Sequence, residues 1–460
     1  MGHAHAHDPS ALRSVHVART PKRILLTVLI VVAVATIAGL VVLWPYGGST
    51  GVQTSAAFAV KGTTFPTGEI VRVTQGCAGP GGAGASEAAG TSGSGAAAGS
   101  GTAAAACAIA RVRISSGAHS GETVTVMLNG PFAHAGLRPG DQLELMDARL
   151  PTRQGVVQPG GADPGISVFG VVRTIPLAVW AGLFVLVVAA VGLLRGLFAL
   201  VGLVFSGGMI VLFMLPALLR AGPATAIALV GAAAILFVVL YLAHGVSMRT
   251  SAALAGTLAG VGITAVVAQL AVSTTRLSGI DESAGFLAPM VPHVDFAGLL
   301  TCAIIIAGLG VLNDVTITQS SSVWELRALA PELSRRQLFG RAMRIGRDHI
   351  ASTIYTIVFA YVGASLSVVL LLYVYNQPML SMLSFEDIAA EIIRTLCSGI
   401  GLVLVVPLTT AIAVALLPPT SAGPGGADRA ELGEDDAAKV DWLRTLRTRE
   451  VAPFSAPPAS

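Results

Sequence analysis

Residues 175–220 read IPLAVWAGLFVLVVAAVGLLRGLFALVGLVFSGGMIVLFMLPALLR. Two apolar runs, 175–194 and 197–219, are separated by one charge, Arg195. Each is close to the ~20 residues that an α-helix needs to cross a hydrocarbon core of ~30 Å. Neither has the polar stripe that a helix on the surface of a soluble protein would show. The stretch therefore predicts two membrane-spanning helices joined by a tight turn.

The rest of the chain agrees. Its apolar fraction is 53%, its charged fraction 12% and its mean hydropathy +0.76, well outside the range of soluble domains. Six more apolar runs occur at 24–44, 224–243, 251–272, 296–315, 350–375 and 393–417. The expected fold class is a membrane all-α bundle of about eight transmembrane helices. The run at 24–44 is read as a retained anchor rather than a cleaved signal, because Trp44-Pro45-Tyr46 follows it instead of an Ala-x-Ala site. The net charge of +3 is small and no basic patch is interleaved with aromatic residues, so no nucleic-acid partner is expected.

Orientation follows from where the arginines and lysines lie. With the N-terminus inside, the inner segments hold Arg13, Arg19, Lys22 and Arg23, then Arg195, then Arg249, then a cluster from Arg327 to Arg347. The short outer loops hold only Arg220, Arg276 and Arg394. That asymmetry predicts a bacterial plasma (inner) membrane protein with both termini cytoplasmic. The organisation expected is a disordered basic tail (1–23), a first span (24–44), an extracytoplasmic segment (45–174), a seven-helix domain (175–417) and a disordered cytoplasmic tail (418–460).

Within 45–174, Glu69-Ile70-Val71-Arg72-Val73, residues 109–114 and residues 123–128 alternate apolar and polar side chains, as half-buried strands do. Arg138-Pro139-Gly140-Asp141 supplies a turn before Leu143-Glu144-Leu145. A small β-barrel-like domain inserted between helices one and two fits this spacing. Residues 78–106 are nearly all Gly, Ala and Ser and cannot bury enough surface to fold. Cys77 and Cys107 bracket that loop and are the disulfide candidate, the alternative being two unpaired thiols. Cys302 and Cys397 fall inside apolar runs, where a thiol behaves as a small hydrophobe. A protein partner of this domain is one reading, and a spacer is the plainer one.

Ionisable groups at membrane depth are costly, so function is sought there. Asp314 lies near the cytoplasmic end of the run 296–315, where Gly310, Asn313, Asp314 and Ile317 share a helix face. That face could carry a cation, a proton or a polar solute. Alternatively, Asp314 pairs with Arg347 and locks two helices. Ser334-Arg335-Arg336-Gln337 has capping-box spacing and opens a basic amphipathic helix, 334–349, suited to anionic lipid on the inner leaflet. Glu391 stands at the mouth of the last run as either a gate or an ordinary acidic helix start. His244 follows the fourth run as an interfacial cap. His3, His5 and His7 lie in a tail without fixed geometry, so no metal or other cofactor is expected.

These residues fall in segments that resemble the YibE/F family of multi-pass membrane proteins. The resemblance runs from about residue 173 to 417. It rests on Leu194-Arg195-Gly196-Leu197, on residues 242–247, on residues 308–314 with Ser320-Ser321-Ser322, on Gly346-Arg347-Asp348, and on residues 389–394 leading into 399–409. It implies a shared architecture and shared polar positions, His244, Asp314, Arg347, Asp348, Glu391 and Arg394, without a substrate. Together, residues and resemblance lead to the expectation of a permease-like protein for a small solute or ion, not an enzyme. The alternative is a scaffold or sensor that does not transport.

Overall fold

The computed structural model describes residues 17–47, 63–75, 108–148, 163, 165–375 and 378–418. The candidate disulfide Cys77 and Cys107, the loop 78–106, the N-terminal histidines and the C-terminal tail lie outside the described residues. Two compact units make up the chain.

One unit comprises Pro45–Gly222 with Ile280–Asp295. Its strands β1 (Thr67–Gln75), β2 (Ala108–Ile114), β3 (Thr123–Leu128), β4 (Gln142–Asp147) and β5 (Ile166–Val171) form an antiparallel sheet in the order β3-β2-β1-β4-β5. The alternation read from the sequence is the burial pattern observed, with Val112, Val124, Val126, Leu143 and Leu145 essentially inaccessible. The sheet curls. Asp163, just before β5, binds the Thr125 backbone of edge strand β3 from both its carboxylate and its amide, at 2.6 and 2.9 Å. Register shifts at Ile70/Arg72 and Glu144/Leu145 add the local bend. Gly68 is required for closeness, since a Cβ there would strike Val112 and the Arg113 carbonyl.

The other unit comprises Met1–Trp44, Pro223–Gly279 and Phe296–Ser460. In chain order the helices of the protein are α1 (Arg19–Leu43), α2 (Thr174–Met209), α3 (Leu215–Leu219), α4 (Ala224–His244), α5 (Met248–Thr275), α6 (Glu282–Leu287), α7 (Phe296–Leu329), α8 (Arg335–Ala364), α9 (Leu366–Val374), α10 (Met379–Met382) and α11 (Glu386–Leu416). Of these, α2, α3 and α6 belong to the unit that holds the sheet.

Among the described residues, six helical segments are long and apolar enough to cross a membrane, against the eight runs counted in the sequence. The difference arises in two places. The runs 175–194 and 197–219 lie in one segment, Thr174–Leu219, broken at Leu193 by a non-helical backbone (φ 50°, ψ −139°) and carrying a π-turn at Ile210–Met214 ahead of Pro216. The run 350–375 has no boundary at its start. Arg347-Asp348-His349-Ile350 contains no helix breaker, so the basic helix expected at 334–349 continues as α8 to Ala364 and ends only at Ser365. The capping box forms as its spacing implies, with Ser334 accepting from the Gln337 amide and Gln337 reaching back.

The core of the bundle is α5, α7 and α11. On each helix, residues four apart form one buried row. On α5 the row is Ala252, Gly256, Gly260, Thr264 and Ala268, on α7 Gly308, Leu312, Thr316 and Ser320, and on α11 Cys397, Gly401, Val405, Thr409 and Ala413. Such i±4 rows are the ridges by which helices interlock, and small residues in them let backbones approach where lipid supplies no hydrophobic drive.

Helices α5 and α11 run antiparallel with reciprocal contacts. Thr409 presses on Gly256, Val405 on Gly260 and Thr264 on Gly401, so the pair has a local two-fold through its centre. Thr264 and Thr409 have buried hydroxyl oxygens without a conventional partner, whereas Thr257, Thr301 and Thr410 each donate to their own helix four residues back. The two exceptional oxygens point at glycine Cα–H groups, which make weak hydrogen bonds between close helices. Thr257 and Thr316 join α5 to α7 at 2.6 Å, and Gln319 of α7 donates to the Ala342 carbonyl of α8 and the Thr410 hydroxyl of α11 at 3.0 and 2.7 Å.

Two glycine substitutions should therefore act in opposite directions. Gly401→Ala would drive a methyl into the Thr264 hydroxyl and should cost roughly 1–3 kcal/mol, with most of the loss recovered in Gly401→Ala/Thr264→Ala. Gly308→Ala meets its neighbours only at 3.6–4.0 Å and should be neutral or stabilising by up to about 1 kcal/mol through helix propensity. Unfolding of the full chain in detergent reads both. Equal effects would refute the packing account.

Candidate functional site

The structure separates the polar residues singled out in the sequence. Asp314 is exposed on α7, as is Gly310, while Asn313 is half-buried. The reason is angular: Leu312 faces the core, and at 100° per residue Asp314 lies about 200° away, on the opposite side. Arg347 and Asp348 are exposed on α8. No ion pair joins Asp314 to Arg347, and neither aspartate is bonded to His244, the exposed last residue of α4. Of the expected residues, the structure brings together Glu391 and Arg394.

Helix α11 starts after Phe385 with Glu386 and Asp387 in its first turn. Glu386 is held by the loop that follows α5, receiving Ser278 Oγ and the Gly279 amide at 3.0 and 2.9 Å. One turn further in, Arg394 Nη1 bonds Glu391 Oε1 at 2.7 Å, and the two side chains are 24% and 25% exposed. The pair is incomplete: Glu391 Oε2 and Arg394 Nε are enclosed and bond to nothing. Ser398, about two helical turns below Glu391, is buried with a free Oγ. Tyr361 of α8 faces Ser398, short of closed hydrogen-bond geometry, and stands in the field of both charges.

Glu391 and Tyr361 line a groove of about 220 Å³ between α11 and the elbow where α8 meets α9 at Ser365. Its walls are hydrocarbon from both sides, including Val358, Val369, Ile392 and Leu396. Among the described residues, Glu391 is its only charged lining residue and Tyr361 its aromatic one. A larger hollow of about 460 Å³ lies among α1, α4 and α5. It holds no titratable group, and its Thr36 hydroxyl is already given to the Val32 carbonyl at 2.8 Å, so it is read as loose packing. Among the described residues, no three His, Cys, Asp or Glu side chains stand close enough to share a metal ion.

The sequence reading passed over Tyr361 and Ser398. The signal for Ser398 was positional: it lies seven residues after Glu391 on the same helix face, a spacing that groups the two once α11 is drawn. Tyr361 carries no such mark, because only the packing of α8 on α11 delivers it.

A family model described as YibE/F-like protein matches residues 180–419, which include all of α4 to α11. No curated protein and no solved structure matches the chain.

The Glu391–Arg394 pair lends itself to a double-mutant cycle. Arg394→Gln leaves an enclosed carboxylate and should destabilise more than Glu391→Gln/Arg394→Gln, with a coupling of roughly 1 kcal/mol once screening of a quarter-exposed pair is allowed for. Additive losses in thermal unfolding would show that the pair does not couple.

Proposed function

As the chain belongs to the YibE/F-like family and carries several helices able to cross a membrane, we propose that this integral membrane protein is a permease-like transporter of a small solute or ion. The observation that supports this reading is the groove at α8, α9 and α11, whose hydrocarbon walls include Glu391, one partner of an incompletely bonded charged pair with Arg394. Charges held inside membrane-spanning helices are expensive to keep and commonly mark solute or proton pathways. In this reading the groove is the outer mouth, Ser398 and Tyr361 extend it inward, and no chemical transformation is performed.

The same proposal carries a topology. The break at Leu193 divides Thr174–Leu219 into two spans and the apolar continuation of α8 beyond residue 349 supplies another, which makes eight; both termini face the cytoplasm of a bacterial cell, and the sheet lies outside. Arg336, Arg341, Arg344 and Arg347, exposed on the inner half of α8, contact anionic headgroups there.

A scaffold or sensor role is the second reading. It is favoured by the exposed Phe65–Phe169 edge-to-face pair on the sheet (centroids 5.1 Å apart), an apolar patch suited to a protein partner.

Proteoliposomes holding the full chain should take up at least one solute from a panel of inorganic cations, amines and amino acids faster than empty liposomes. Glu391→Gln should lower that initial rate by about tenfold or more. Uptake equal to that of empty liposomes across the panel would leave the scaffold role standing.

A further inference from the structure

Strands β1 and β2 carry three exposed arginines side by side. The register sets Arg72 directly opposite Arg111, and Arg113 opposite Glu69. The turn before β4 adds Arg138, also exposed, and is tied to β1 by Gly140 N–H donating to the Ile70 carbonyl and Ile70 N–H to the Asp141 carbonyl, at 2.8 and 2.9 Å. Paired strands lie ~4.8 Å apart and alternate residues of one strand ~6.8 Å apart, so the cations occupy one strip of the surface. Like charges opposed across a ladder are destabilising. Among the described residues, none of the four guanidinium groups is in an ion pair. Asp141 and Asp163 are held instead on the backbone amides of Arg138 and Thr125, at 2.7 and 2.6 Å.

Strand β3 continues the strip with Thr123 opposite Arg113 and Thr125 opposite Arg111. The strand order β3-β2-β1-β4-β5, with β3 returned toward β5 through Asp163, is that of the five-stranded Greek-key barrels whose second and third strands present a face to oligonucleotides or oligosaccharides. We propose that this strip binds a carboxylate-bearing oligosaccharide, its acidic groups on Arg72, Arg111 and Arg113 and a hydroxyl on Thr123. The inference goes beyond transport and holds whether or not the groove passes a solute.

The chemistry of the strip separates this ligand from other polyanions. All four cations are arginine, whose planar fork matches a carboxylate through two parallel N–H···O bonds. Single-stranded nucleic acid adds base stacking to charge. Beside Ile109 and Met127, the strip offers no aromatic ring among the described residues, since Phe65 and Phe169 lie on the β4–β5 side. An anionic bilayer calls for exposed apolar anchors next to the charge, whereas Ile109 and Met127 are half-buried and the sheet curls. A neutral sugar would leave the opposed arginines unrelieved.

The test is calorimetric binding of hexagalacturonate to the full chain in phosphatidylcholine nanodiscs, beside maltohexaose and oligothymidylate. Hexagalacturonate should bind saturably, at least about tenfold tighter than maltohexaose, and more weakly as salt rises. Arg72→Gln/Arg111→Gln should weaken it by about tenfold without lowering the unfolding temperature, because the change removes a repulsion. Arg341→Gln/Arg344→Gln, which takes charge from α8, should leave it unchanged. Equal binding of the charged and neutral sugars, wild-type affinity in Arg72→Gln/Arg111→Gln, or an equal loss in the α8 variant would overturn the inference. Tighter arginine-dependent binding of oligothymidylate would overturn it in favour of nucleic acid, and arginine-dependent capture of phosphatidylglycerol vesicles with no sugar bound would do so in favour of lipid.

Discussion

A helix in hydrocarbon gains nothing from burying leucine against leucine, because lipid tails are as apolar as its neighbour. What holds α5, α7 and α11 together is therefore closeness, the dispersion contact and weak polar bonding available when backbones nearly touch. The reciprocal Thr–Gly contacts of α5 and α11 are the means. Each glycine is a socket and each threonine a plug, and Leu312 of α7 fills the space beside Gly260 and Gly401. The rest of the bundle is built onto this seam. Gln319 and the bare Cα of Gly346 bring α8 against α11, and Arg335 bonds the Ala415 and Leu417 carbonyls at the C-terminal end of α11, where a cation complements the helix dipole.

The candidate site depends on the seam at one remove. Helix α11 contributes its inner rows to the core and its outer turns to the groove, so Glu391 and Arg394 sit on a helix whose position is fixed elsewhere. The facing wall is different in kind. Beyond Gly346, most side chains of α8 are exposed, Ile357 being a buried exception, and the helix gives way at Ser365.

Much of the architecture was legible in the amino-acid order. The apolar runs gave the crossing helices, alternation gave the strands, and the Ser334–Gln337 spacing gave a helix start, each because a local rule has a local cause. The family resemblance read from residues 194–197, 308–322 and 389–409 agrees with the family match over 180–419. The partition of helices was harder to read. Continuity through Arg347-Asp348-His349 depends on backbone geometry that charge patterning conceals. Of the site, Glu391 and Arg394 were visible as charges near an apolar run. The outward direction of Asp314 was hidden because it depends on which row of α7 meets α5, and a row of Gly, Leu, Thr and Ser gives no strong apolar stripe. The four-residue recurrence of small side chains on α5 was the available clue.

The plug-and-socket seam also determines which movements the molecule can make. Sliding α11 along α5 by one turn would bring Val405 onto Thr264 and Gly401 onto Ala268, exchanging a glycine contact for a collision of two branched side chains. Intermediate positions place ridge on ridge. The seam thus resists sliding in that direction, and against such movement it works as a stator. Any mechanical cycle in this half of the protein must be carried by the parts that the seam leaves loose, the outer half of α8 and the elbow at Ser365, hinging against a wall that stays still.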